Sequence, residues 1–241
     1  MIMRTPVGVR RALGFLVVVV VVLAGSACER LTGPKPSSPV AVQLAARASA
    51  ASGTATSAAP LAIASVRLVA GAASFGSGDQ FGCVDCQGDG AETASPQQLV
   101  SVPLDGSTVT LATEQVNVGR YGYLEISIEA PNAATVAADP SWPAGSTILI
   151  AGRYNGAAFT LPLTITGSFV EILSPPVDVT TAAAGSGTQA VRITLPVASW
   201  FVSNGVSLDP AVPSQRAQIV ANARAAIHPP EAAEASRSPE R

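Results

Sequence analysis

The sequence predicts an all-β chain, an antiparallel β-sandwich of about eight strands with a short C-terminal helix. Three observations lead there. First, apolar residues alternate with Ser, Thr and a few charges in one stretch after another between Leu61 and Val197. That is the period of a strand with one buried face. Second, Asp105-Gly106 and Asn155-Gly156 stand between such stretches, and these dipeptides suit the tight turns that join antiparallel neighbours. Third, Pro103, Pro162 and Pro196 fall on the outward phase of predicted strands. Proline lacks the ladder donor and belongs at edges or bulges. Two stacked sheets offer such edges and a closed barrel offers none.

Taken in order, residues 1–27 read as an export signal. Arg4, Arg10 and Arg11 form a basic start, Leu13 to Leu23 an apolar run, and Ala24-Gly25-Ser26-Ala27 a small-residue approach to Cys28. The uncharged stretch Ala12–Ala27 is 16 residues, short of the ~20 a spanning helix needs. The segment resembles the lipobox of bacterial lipoproteins, with Gly25 where Leu is usual. The resemblance implies that the Cys28 thiol takes a diacylglycerol and that cleavage falls just before it. Two or three acyl chains hold a protein stably at a bilayer. Glu29 stands where an Asp would favour the inner membrane in such lipoproteins, so the expected site is the outer membrane of the bacterial cell envelope. The alternatives are an ordinary secretory signal and an N-terminal membrane anchor. Cleavage removes three Arg and no acid. The 14 basic residues fall to 11 against 16 acidic, and the net charge moves from −2 to −5. That balance gives no case for nucleic acid, which attracts clustered Lys and Arg.

Residues 28–60 are rich in Pro, Ser, Ala, Thr and Gly and read as a flexible tether. A coil of ~32 residues spans roughly 30 Å. The β-sandwich domain is expected over 61–227. Val100, Val102 and Leu104 lead through Asp105-Gly106 to Val109 and Leu111, which predicts a hairpin. Leu124, Ile126 and Ile128 alternate with Glu125, Ser127 and Glu129. Ile148, Ile150 and Tyr154 lead through Asn155-Gly156 to Phe159, Leu161, Leu163 and Ile165, a second hairpin. Val191, Ile193, Leu195 and Val197 form a late strand, and weaker ones lie near Ala64–Ala70 and Phe169–Leu173. Trp200 and Phe201 are expected to cap the core. Ile219, Val220, Ala223, Ala226 and Ile227 share a helical face, with Pro213 at its start and His228-Pro229-Pro230 at its end. Residues 228–241 read as a disordered tail.

The run Gly119-Arg120-Tyr121-Gly122-Tyr123-Leu124-Glu125-Ile126-Ser127-Ile128 resembles a strand of an uncharacterised family of bacterial lipoproteins with a prealbumin-like β-sandwich domain. Gly152-Arg153-Tyr154-Asn155-Gly156 with Phe159 is similar to that family's central hairpin, and Val191 to Phe201 to its C-terminal part. The resemblance runs from Val66 to Ile227. It implies a prealbumin- or Ig-like sandwich and a place in the envelope, and it transfers no catalytic residue.

Candidate chemistry centres on the Gly- and Asp-rich stretch 76–92. Cys83 and Cys86 suit a small local disulfide in an oxidising envelope, Cys28 being consumed by lipid. A redox dithiol needs a helix after its first Cys, which Gly88 and Gly90 disfavour. Zinc and iron–sulfur sites need more Cys and His than the chain supplies. No cofactor is expected, although Asp79, Asp85 and Asp89, with Glu92, are candidate oxygen ligands for Ca²⁺. Trp142, in a Pro-bounded loop, is a candidate for stacking on a sugar ring together with Tyr121 or Tyr123. Glu125 and Glu129, four residues apart on one strand face, lie ~13 Å apart, beyond the ~5–9.5 Å of glycosidase pairs. Glu171 is the cross-strand candidate to close that gap. The chain holds a single His, His228, and no G-x-S-x-G elbow. The expected function is a non-catalytic binding or structural module acting on an envelope protein or glycan. The alternative is a hydrolase of envelope polymers, glycan or peptide.

Overall fold

A computed structural model describes residues 36–47, 60–76, 91–92, 96–181 and 188–227. The chain divides into a unit of Met1–Pro36 and a unit of Ser37–Arg241. The export signal, Cys28, the stretch from 77 to 90 and the tail 228–241 lie outside the described residues.

The second unit is all-β and sandwich-like. Its strands are β1 (Ser37–Ala46), β2 (Leu61–Gly76), β3 (Ala91–Glu92), β4 (Gln98–Val102), β5 (Val109–Asn117), β6 (Gly119–Ile128), β7 (Ile148–Tyr154), β8 (Ala157–Leu163), β9 (Gly167–Val179), β10 (Gln189–Leu195), β11 (Val202–Ser203) and β12 (Val206–Ser207). Its helices are α1 (Ala133–Ala138), α2 (Val197–Trp200) and α3 (Pro213–Ala226). Of the two main sheets one has the order β10-β1-β5 and the other follows β8-β7-β2-β6-β9, with β3 and β4 also paired to β2, while β11 and β12 form a separate two-stranded sheet. Among the described residues no helix is long and apolar enough to cross a membrane.

The long strand β2 organises the larger sheet. Its first half pairs with β7, from Leu61↔Tyr154 to Leu68↔Ile148, and its second with β6, to Gly76↔Tyr123. The hand-over falls at Val69, whose N–H donates to Thr147 O (2.8 Å) and whose carbonyl accepts from Glu129 N (3.2 Å). The Asn155-Gly156 hairpin forms as the sequence predicts. Both residues have positive φ, +49° and +82°, as a primed turn requires. Pro162 lies in β8, an edge strand, while Pro103 follows β4 and Pro196 caps α2.

Two expectations fail. Ser37–Ala46 is not tether. It is β1, the middle strand of its sheet, parallel to β10 and antiparallel to β5. Val40, Val42, Leu44 and Ala46 face the common core, and their burial rewards ordering a segment whose Pro- and Ser-rich flanks suggest coil. The β1–β10 pair also makes the smaller sheet mixed. Second, Asp105-Gly106 does not close a hairpin. β4 pairs with β2 and β5 with β1, so the turn carries the chain from one sheet to the other.

The core lies between the sheets. Leu68, Leu124, Ile126, Ile148, Ile150, Leu161 and Leu163 from one side meet Val40, Val42, Leu44, Val116 and Ile193 from the other. Trp200 and Phe201 are buried at its end, and Ile219, Ala223 and Ile227 bring α3 onto it. Asn222 Nδ2 donates to Trp200 O (2.9 Å) and Val202 O (3.0 Å), which fixes α3 to that corner.

Candidate functional site

An open concavity lies at one end of the sandwich, where β1 ends, β2 begins and the 104–106 turn crosses between sheets. It has a volume of about 670 Å³ and is lined by Ala46, Arg47, Ala62, Ile63, Leu104, Asp105, Gly106, Arg192 and Thr194. That volume is in the range of small-molecule sites, ~300–1,000 Å³. Its position follows from topology. β1 and β10 run parallel, so their C-terminal ends, with Arg47 and Thr194, arrive side by side. The Arg47 N–H donates to Leu195 O (2.9 Å) and its carbonyl accepts from Ala198 N (3.1 Å). The backbone of Arg47 is therefore clamped between β10 and α2.

Arg192 and Thr194 occupy the outward phase of β10, while Val191, Ile193 and Leu195 are buried. Both Arg47 and Arg192 are exposed. Neither takes part in the ion pairs seen among the described residues, which are Arg67–Asp139 and Arg120–Asp178. Asp105, in the lining, is held by its own turn. Its Oδ1 accepts from Ser107 Oγ (2.6 Å) and Ser107 N (3.0 Å), and these bonds keep its carboxyl below the ordinary value of 3.8. The lining thus carries two arginines and one carboxylate, which Ser107 holds in its charged form. A smaller concavity of about 350 Å³ lies on the other side of Leu104 and Asp105, along Ser65, Arg67 and Ser101.

The stacking candidates are elsewhere and occupied. Trp142 is 5% exposed. Its Nε1 donates to Ser146 O (2.7 Å), and the Arg67 guanidinium sits 5.1 Å from its ring centroid. Arg67 is in turn paired with Asp139 at 2.5 Å. Asp139 is held below 3.8 first by the Ser141 hydroxyl and then by Arg67. The tryptophan is buried, with a cation over its ring and a carbonyl accepting from its N–H. Tyr121 is fully buried against Phe75, ring centroids 5.6 Å apart, with its hydroxyl donating to Asn117 O (2.8 Å). Burial pushes its phenol pKa up. Neither Trp142 nor Tyr121 presents a face to a ligand, and the expected stacking pair is withdrawn. Tyr123 lies over Gly76, where a Cβ would collide with its ring.

The carboxylates do not converge either. Glu129 accepts from Gln97 Nε2 (2.9 Å) and Ser127 Oγ (2.8 Å). Glu171 stands opposite Leu124, whereas Glu125 stands opposite Val170. Directly paired residues share a face, so Glu171 is on the opposite face of the sheet from Glu125 and Glu129. It points to the seam between the sheets, where Oε2 lies 3.5 Å from Thr194 N on the open edge of β10.

Cys28, Cys83, Cys86, Asp79, Asp85, Asp89 and His228 lie outside the described residues. Arg47 and Arg192 escape a reading of the sequence, because one lies within the expected tether and the other is a lone charge on a strand's outer face. Only the parallel pairing of β1 with β10 brings them together. Compared with protein-family models, with curated proteins and with solved structures, the chain matches none.

Proposed function

We propose that the protein is a lipid-anchored component of the bacterial cell envelope, at the outer membrane. In this reading its sandwich is a non-catalytic binding module, with the cavity between Arg47 and Arg192 as the binding site. The observation that carries the reading is that cavity, open at one end of the sandwich and lined by Arg47 and Arg192, neither of which forms an ion pair among the described residues. The basic, apolar and small-residue order of residues 4–28 supports export and acylation at Cys28. The resemblance to envelope lipoproteins with a prealbumin-like domain supports the same location. The separation of Glu171 from Glu125 and Glu129 favours binding over hydrolysis, since glycoside hydrolysis needs two carboxyls about one sugar. Cys83 and Cys86 form a local disulfide in this reading, and alkylation of unreduced protein should modify neither.

Metabolic labelling with a palmitate analogue tests the anchor. The native chain takes up label and Cys28→Ala does not; label surviving the substitution defeats the assignment. Incubation with purified envelope polysaccharide tests the second half. No new reducing ends are expected, and their steady release would establish the hydrolase instead.

A further inference from the structure

We propose that the Arg47–Arg192 cavity receives an oxyanion, a carboxylate or a phosphate. This inference rests on the binding-module reading and names its ligand class.

The charge argument comes first. Two guanidinium groups share one concavity, and neither has an ion-pair partner among the described residues, while Arg67 and Arg120 each have one. Asp105, whose Oδ1 accepts from Ser107, offsets part of that charge. Like charges around one void repel, and a bound anion relieves that repulsion. A guanidinium offers a planar fork of donors matched to carboxylate and phosphate.

The surroundings make this more than a basic patch. Ala62, Ile63 and Leu104 give the open cavity a partly apolar wall beside the two arginines. Arg47 springs from a backbone clamped at both its N–H and its carbonyl, so one of the two cations starts from a fixed origin.

The test uses the full-length protein in nonionic detergent, titrated with trigalacturonate and with inorganic phosphate. At least one is expected to bind, and Arg47→Gln and Arg192→Gln should each weaken it about tenfold, the loss of a charge-assisted bond. Arg216→Gln, exposed on α3, should change nothing. Binding of neither anion overturns the proposal, as does binding that ignores both cavity substitutions or falls equally with Arg216→Gln. Phosphatidylglycerol doped into the micelles separates the two sources of the same chemistry: Arg-dependent competition makes the ligand a lipid headgroup, and binding that phosphatidylglycerol leaves unchanged makes it a soluble oxyanion. Failure of the anions with Cys28 labelling intact removes the ligand class and leaves the anchor. Label surviving Cys28→Ala, with anion binding intact, does the reverse.

Discussion

Trp200 is 1% exposed, and its Nε1 has no hydrogen-bond partner among the described residues. A buried unsatisfied donor costs about 1–3 kcal/mol, while the ring around it fills the corner where α2 meets α3. The two effects separate by substitution. Trp200→Phe removes the donor and keeps most of the ring, so stability should change by less than about 1 kcal/mol. Trp200→Ala should cost about 3–5 kcal/mol. Urea midpoints at unchanged slope measure both, and a Phe variant as damaged as the Ala one would mean that the indole N–H has a partner. Asp139 offers a pH test at the same scale. Ser141 and Arg67 hold its carboxyl below 3.8. A depressed native pKa contributes stability that is present above 3.8 and lost as pH falls through the lower native value. The stability difference between the native chain and Asp139→Asn should therefore shrink as pH falls from about 5 to about 2. Denaturation series across that window check it. Asp105, depressed by Ser107, titrates in the same direction and leaves a residual slope in the variant.

At the scale of elements, β1 is the departure with the largest consequence. As the middle strand of its sheet it buries Val40, Val42 and Leu44 almost completely. Leu44→Ala should cost about 2–5 kcal/mol, and a chain beginning at residue 48 should lack a cooperative thermal transition. A tether would tolerate both changes, so calorimetry on the two proteins distinguishes strand from linker. The alternation Val40, Val42, Leu44 was present in the sequence, but Ala41, Ala45 and Ala46 blur its contrast and Pro39 precedes it. What completes the strand is a parallel partner, β10, far along the chain, and nothing local encodes that. β7 and β8 show the opposite case. Their turn, register and faces are all written within one short stretch, and the hairpin forms as read. Asp105-Gly106 lies between these extremes. Gly106 has φ +89°, so the turn was legible. Where its two strands then went depended on β1 and β2. The candidate site was illegible for the same reason, since Arg47 and Arg192 meet only through the non-local pair.

At the scale of the molecule, the two sheets meet along β9 and β10 without a continuous ladder. Glu171 approaches Thr194 N, and Gln189 Nε2 donates to Asp178 O (3.0 Å). Side chains thus cover edges that would otherwise invite pairing with another chain.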